Sequence, residues 1–262
     1  MPVSSQDRGA APIAVVTGGA GGIGEATAKL LCEEGWIVVI ADKDADRAEI
    51  VARELGAYAA PMDIADEASV DAAATWVERN VGPCCGLVAC AAHLENPHRP
   101  EAQDMAEFDR VLSVNLRGTF LTMTRFGAAM VARKRGSIVT IGSITAMNSS
   151  PLVAYGPSKA GIIAMTRDFA GAWGRRGIRV NCVCPGPTRT PAVEASYARG
   201  ERDPALMTAQ TALGHLVDPR DVAEAVAFLL SDRARSITGI TLPVDAGTLT
   251  TQLWALYGGI PG

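Results

Sequence analysis

"IAVVTGGAGGIG", Ile13 to Gly24, runs from an apolar stretch of strand length through a glycine-rich turn into the opening of a helical pattern. Glycines at such a turn tolerate positive φ and close approach of the main chain, so a pyrophosphate can rest on the free amides of a helix N-terminus. The spacing is GxxxGxG, from Gly18 through Gly22 to Gly24. The next apolar run, "WIVVIAD" from Trp36, closes on Asp42. That is about 20 residues past the turn, where a carboxylate accepts hydrogen bonds from the adenosine ribose and repels a 2'-phosphate. Together these features predict an NAD site in preference to an NADP site, with Lys43 softening the preference. Asp44 reads as a helix cap.

Outward from this unit the same alternation repeats. Helical patterns from Gly22 to Glu34, near Asp44 to Leu55 and near Asp66 to Asn80 are separated by "WIVVIAD" and "AYAAPMD". "CGLVACAA" follows, then a long helical segment from about Asp104 to Ala132. The later strands are "GSIVTIGS", "IRVNCVCPG" and "GITLPVDAG", with helices near Val153 to Trp173 and Asp218 to Leu230. Strands apolar on both faces that alternate with helices predict an α/β fold, a doubly wound parallel sheet flanked by helices on both faces. The whole chain, 1–262, reads as one domain. Residues 191–216 resist the pattern, being polar and rich in small residues after a strand end, and read as a substrate lid.

Composition narrows the function classes. Twenty-four Lys and Arg stand against 28 Asp and Glu, a net charge of -4, with no basic block interleaved with aromatics; no nucleic-acid partner is expected. No apolar run reaches the roughly 18 residues of a membrane span, and the opening "MPVSSQDRGAAP" has no apolar signal core. A soluble, cytoplasmic protein is therefore expected. Cysteines at 32, 84, 85, 90, 182 and 184 lack metal-knuckle spacing and only three histidines accompany them, so no metal site is expected and the thiols read as reduced and buried.

A second short stretch, "YGPSKAG" from Tyr155 to Gly161, carries the chemistry. Pro157 has no amide hydrogen, which is harmless in the first turn of a helix, so the helix should begin near Val153 or Ala154. Tyr155 and Lys159 then share a face one turn apart, where the ammonium favours the phenolate by direct charge interaction. Such a phenol can exchange a proton with an alcohol near neutral pH.

"TGGAGGIG", "VNLRGTF", "IVTIGS", "YGPSKAG", "RVNCVCPG" and "ITGITLPVDAG" occur in the order and approximate spacing of the short-chain dehydrogenase/reductase family, and the chain resembles it from about Ile13 to Gly247. The resemblance implies a Rossmann-type domain and an NAD(H)-dependent oxidoreductase interconverting a secondary alcohol and a ketone. Tyr155 resembles the family's acid/base, Lys159 the group that supports it and binds the nicotinamide ribose, and Ser143 the donor that holds the reacting oxygen. Asn115 is similar to the asparagine that holds a water linking Lys159 to solvent. Cofactor contacts are implied for Gly18, Gly22, Ile23 and Gly24 at the turn, Asp42 at the ribose, and Asp63 and Ile64 at the adenine. Ala91 after the fourth strand, and Pro185, Gly186, Thr188 and Thr190 around the carboxamide, complete the implied set. A homotetramer, or a homodimer, built on the helices containing Asn115 and Tyr155 is expected by the same analogy.

Two departures stand out. Ala89, Cys90, Ala91 and Ala92 replace the family's usual Asn-Asn-Ala-Gly, and Ser143 and Tyr155 are 12 residues apart (155 − 143), one fewer than is common. The first gives some support to a rival reading, a cofactor-binding regulatory protein without turnover; Lys43 supports another, an NADPH-dependent keto-acyl or carbonyl reductase. Residues expected at the substrate are His93, Thr145 and Pro187, with Leu94, Glu95 and Ile144 beside them, while Arg189 and Arg199 keep an anionic substrate open. The apolar tail "TQLWALYGGIPG" is expected to cover either a neighbouring subunit or its own pocket.

Overall fold

β1 (Ile13–Thr17) is buried at every position, as a strand covered on both faces must be. Its side chains alternate between two cores: Ala14 and Val16 join one cluster, Val15 the other, the two-residue period of a strand. The other strands of the computed structural model are β2 (Ile37–Asp42), β3 (Tyr58–Pro61), β4 (Cys84–Ala89), β5 (Gly136–Ile141), β6 (Ile178–Pro185) and β7 (Thr241–Val244). All pairings are parallel, in the order β3-β2-β1-β4-β5-β6-β7. The structure describes residues 11–251 and 253–259. The first ten residues, and with them the signal-core expectation, lie outside it, as do Gln252 and residues 260–262 of the tail.

The helices follow in chain order: α1 (Gly22–Glu33), α2 (Ala45–Leu55), α3 (Glu67–Asn80), α4 (Met105–Val111), α5 (Thr119–Arg133), α6 (Tyr155–Trp173), α7 (Pro191–Ala198), α8 (Pro204–Ala209) and α9 (Pro219–Leu230). α1, α2 and α9 pack on the Ala14 face of the sheet, and α3, α5 and α6 on the Val15 face. This is the doubly wound domain that the alternation predicts. The chain winds outward from β1 to β3, then returns to β4 on the other side of β1, so the strand order reverses between β1 and β4. Ligands of open α/β sheets bind outside the carboxyl ends of the strands at such a reversal, here beside Thr17 and Ala89, which pair in register.

Two segments differ from the sequence reading. The long helix expected over 104–132 is helical throughout, but residues Leu112–Gly118 form a π-helical turn between α4 and α5. The wider turn contains Asn115, and such turns concentrate at functional sites. Residues 191–216, expected as an irregular lid, hold two short helices, α7 and α8, each with proline just after its cap, Thr190 and Asp203. Among the described residues no helix is long and apolar enough to cross a membrane.

Candidate active site

Two cavities border the glycine-rich segment, one at Ile23 and one at Gly18. One, of about 280 Å³, is lined by Ile23, Ser143, Thr145 and Tyr155, with Pro185, Gly186, Pro187, Thr188 and Thr190 along its far wall. The other, of about 430 Å³, is lined by Gly18, Asp42, Asp63, Ile64, Ala91 and His93.

The turn is shaped by what it lacks. Gly18 has φ +64, and a Cβ there would sit 2.8 Å from the Ala91 Cα; a Cβ on Gly24 would run into the Gly18 carbonyl. Gly22 likewise has positive φ, 55, and packs beside Thr190. No side chain caps α1 at Gly21, so its first-turn N–H groups keep their capacity for an anion. This cradle, with a cavity at each end, fits a dinucleotide diphosphate.

At one end the Asp42 carboxylate is anchored by two main-chain donors, Ala20 N to Oδ2 at 3.2 Å and Asp44 N to Oδ1 at 3.1 Å. Asp44 caps α2 through Arg47 N. Asp63 accepts from Ala65 N at 2.9 Å in its own tight turn, and the cap of α3 is Asp66 instead. Asp63 is thereby free of the capping role and remains on the cavity wall with Asp42.

At the other end, α6 opens with Ala154 as its cap and Tyr155 as its first residue, within a residue of the start the Pro157 argument requires. Tyr155 is half-buried, and Lys159, one turn on, is 2% exposed. The Lys159 Nζ donates to the Ile141 carbonyl at 2.9 Å and lies 5.4 Å from the Tyr155 ring centroid. Ser143, just past the end of β5, accepts from both Thr145 N at 3.1 Å and Thr145 Oγ1 at 2.9 Å. A hydroxyl has two acceptor positions and one donor, so these bonds leave the Ser143 proton for a third partner. Thr188 donates to the Gly186 carbonyl at 2.9 Å, and Thr190 accepts from Val193 N at the start of α7.

Asn115 is fully buried and acts as a brace. Its Oδ1 accepts from His93 N at 2.7 Å, and its Nδ2 donates to His93 O at 3.0 Å and to Ser158 Oγ at 3.2 Å. It thus ties the chain after β4 to α6. Thr17 makes the second brace, accepting from Cys90 N at 3.0 Å and Ala91 N at 3.1 Å. These main-chain bonds hold the β4 end where the family's asparagine is missing. Burial pushes the Cys90 thiol up to about 11, so it brings no charge to the site.

Three sequence expectations are corrected. His93 lines the Asp42 cavity rather than the Tyr155 cavity, its Nε2 held by Glu107 Oε1 at 2.7 Å. Glu95, expected on the pocket wall beside Leu94, is 1% exposed and turned beneath α6, where it accepts from Ala154 N and Tyr155 N. Arg189 and Arg199 are paired with Glu194 at 3.5 Å and Glu201 at 2.6 Å; the arginine that lines the Tyr155 cavity is Arg202. Leu94, Ile144, Thr145 and Pro187 do line it, as expected.

The chain is similar to known proteins in sequence and fold. A family model described as enoyl-(acyl carrier protein) reductase matches residues 18–249. Galactitol 2-dehydrogenase of Rhizobium johnstonii is 38% identical over 243 residues, 89% of this chain and 93% of that protein. A crystal structure described as ribose-5-phosphate isomerase from Brucella melitensis 16M matches with a TM-score of 0.94 at 46% identity, over 96% of this chain and 98% of that one. A 3-ketoacyl-(acyl-carrier-protein) reductase from Brucella melitensis, solved with NADH, matches with a TM-score of 0.83 at 32% identity, over 90% and 98% of the two chains. With a glycine-rich turn beside the reversal of a parallel sheet, and with the family model, the galactitol dehydrogenase and the ketoacyl reductase in agreement, the chain belongs to the short-chain dehydrogenase/reductase family and is an oxidoreductase.

Proposed function

We propose that the protein is an NAD(H)-dependent dehydrogenase that interconverts a secondary alcohol and its ketone, with Tyr155 as the acid/base. The observation that carries this reading is the division of labour about the glycine turn. A rigidly held carboxylate, Asp42, lines one cavity; a phenol and a hydroxyl line the other, with a buried ammonium beneath the phenol.

Held along the wall of Ile23, Gly186, Thr188 and Thr190, a bound nicotinamide would provide the hydride chemistry. Ser143, both of whose acceptor positions are already filled by Thr145, donates its proton to the substrate oxygen and holds it in place. Tyr155 removes the alcohol proton in oxidation and returns it in reduction. Lys159 places its Nζ 5.4 Å from the Tyr155 ring centroid, where an ammonium attracts the negative charge that proton transfer leaves on the phenol oxygen. Val193 and Met207 of the 191–216 segment line the same cavity, which supports a lid role in excluding water.

Asp42 supports NAD, since its carboxylate would lie against a 2'-phosphate. The second reading, an NADPH-dependent reductase, has Lys43 and Arg110 in its favour, both on the wall of the Asp42 cavity. An isomerase, as one similar structure is described, has no use for that cavity as a dinucleotide site. Fluorescence titration with NADH and NADPH, followed by nicotinamide absorbance against a panel of secondary alcohols and ketones, separates the three. Tight NADH binding with turnover is the expected result; tighter NADPH binding, or substrate conversion with no absorbance change, would overturn the proposal.

A further inference from the structure

The cavity holding Ser143 and Tyr155 is lined by apolar side chains, hydroxyls and main chain, with one charged residue among its described lining, Arg202. The carboxylates beside it in sequence have their hydrogen bonds elsewhere. Glu201 is committed to Arg199 by two bonds, at 2.6 and 3.0 Å, and Asp203 caps α8 through Ala205 N at 2.8 Å. Arg189, just before α7, is paired with Glu194. Among the described residues no carboxylate forms an ion pair with Arg202. A half-buried guanidinium that lines a small, largely apolar cavity and makes no hydrogen bond or ion pair among the described residues is placed to pair with an anion there.

We propose that Arg202 is a substrate-binding residue and that the substrate is a small hydroxy or keto acid, whose carboxylate pairs with Arg202 while its secondary alcohol or ketone meets Ser143 and Tyr155. A guanidinium offers a planar fork that matches one carboxylate in two parallel hydrogen bonds. With only one cation on the cavity wall, the fit is to a singly charged carboxylate rather than to a phosphate. The volume of about 280 Å³ lies at the small end for ligand sites, which limits the carbon skeleton joining the two groups. This rests on the reading of the Ser143 and Tyr155 cavity as the alcohol site.

The test uses the protein–NADH complex with two probes alike in shape, cyclohexanecarboxylate and cyclohexanecarboxamide, and reads binding by nicotinamide fluorescence and by the melting shift of the complex. The acid is expected to bind at least about tenfold more tightly than the amide, and Arg202→Gln to reduce the two to equal affinity. Arg202→Lys should keep part of the preference and Arg189→Gln all of it. Unchanged NADH binding by each variant shows that it is folded. Equal binding of the two probes, binding of neither, or a preference that survives Arg202→Gln overturns the anion site. Turnover of neutral alcohols in that case would leave the dehydrogenase reading standing, whereas loss of NADH binding by the unaltered protein would strike that reading instead.

Discussion

The Glu95 carboxylate accepts the Tyr155 main-chain N–H at 2.6 Å and that of Ala154 at 2.9 Å, so a side chain sixty residues away fixes the first turn of the helix that carries the phenol. A negative charge at a helix N-terminus is favourable, and here it also satisfies buried donors. Glu95→Ala removes both acceptors and is expected to lower stability by about 3 kcal/mol in urea unfolding, with Glu95→Gln, which keeps one acceptor oxygen, losing less. An alanine variant as stable as the parent would show that the cap contributes nothing.

His98 sits on the other side of the same carboxylate, Nε2 to Glu95 Oε1 at 2.9 Å. The Arg99 carbonyl, first, and Glu95 raise its pKa above the ordinary 6.5. A raised imidazole pKa favours the protonated form in the folded state, so its stabilisation is full below 6.5 and is lost as pH rises through the folded value. The stability difference between the parent and His98→Gln should therefore shrink as pH is raised from below 6.5 into the alkaline range. A difference that grows with pH would reverse the assignment.

Thr17 is the single acceptor for two main-chain donors at the altered β4 end, Cys90 N and Ala91 N. Thr17→Val keeps the shape and removes the oxygen, which should cost about 2 kcal/mol of stability. Because Ala91 packs against Gly18, NADH binding should weaken as well, and Thr17→Ser should restore both. Calorimetry and NADH titration of the pair check this.

Asp42→Ala should move the ratio of NADPH to NADH dissociation constants about tenfold toward NADPH, equal to about 1.4 kcal/mol. Absolute affinities for both should fall, since Ala20 N and Asp44 N lose their acceptor. The ratio is the informative quantity, and an unchanged ratio would remove Asp42 as the selector.

The features legible in the sequence are those written in local pattern. The two-face apolar runs predict the sheet, the glycine spacing predicts the cradle, and Pro157 fixes the start of α6 to within a residue. What escaped the sequence reading depends on partners far along the chain. A lone Glu95 in a loop gives no sign that its ligands are Ala154 N and Tyr155 N, and His93 lines the Asp42 cavity because Glu107 awaits it on α4. The π turn around Asn115 is a matter of backbone register, which side-chain periodicity does not record. The short helices α7 and α8 did leave a signal, Thr190-Pro191 and Asp203-Pro204, each a cap followed by proline at the first helical position. Short helices of eight and six residues carry too few turns for an apolar stripe to announce them.

Tyr155→Phe tests the central claim most directly, because it removes one oxygen and leaves the ring that lies beside Lys159. With the most active secondary alcohol of the panel, kcat is expected to fall by about 10²–10⁴-fold while the NADH dissociation constant stays within about twofold of the parent. A variant that turns over at the parental rate would contradict the assignment of Tyr155 as the acid/base.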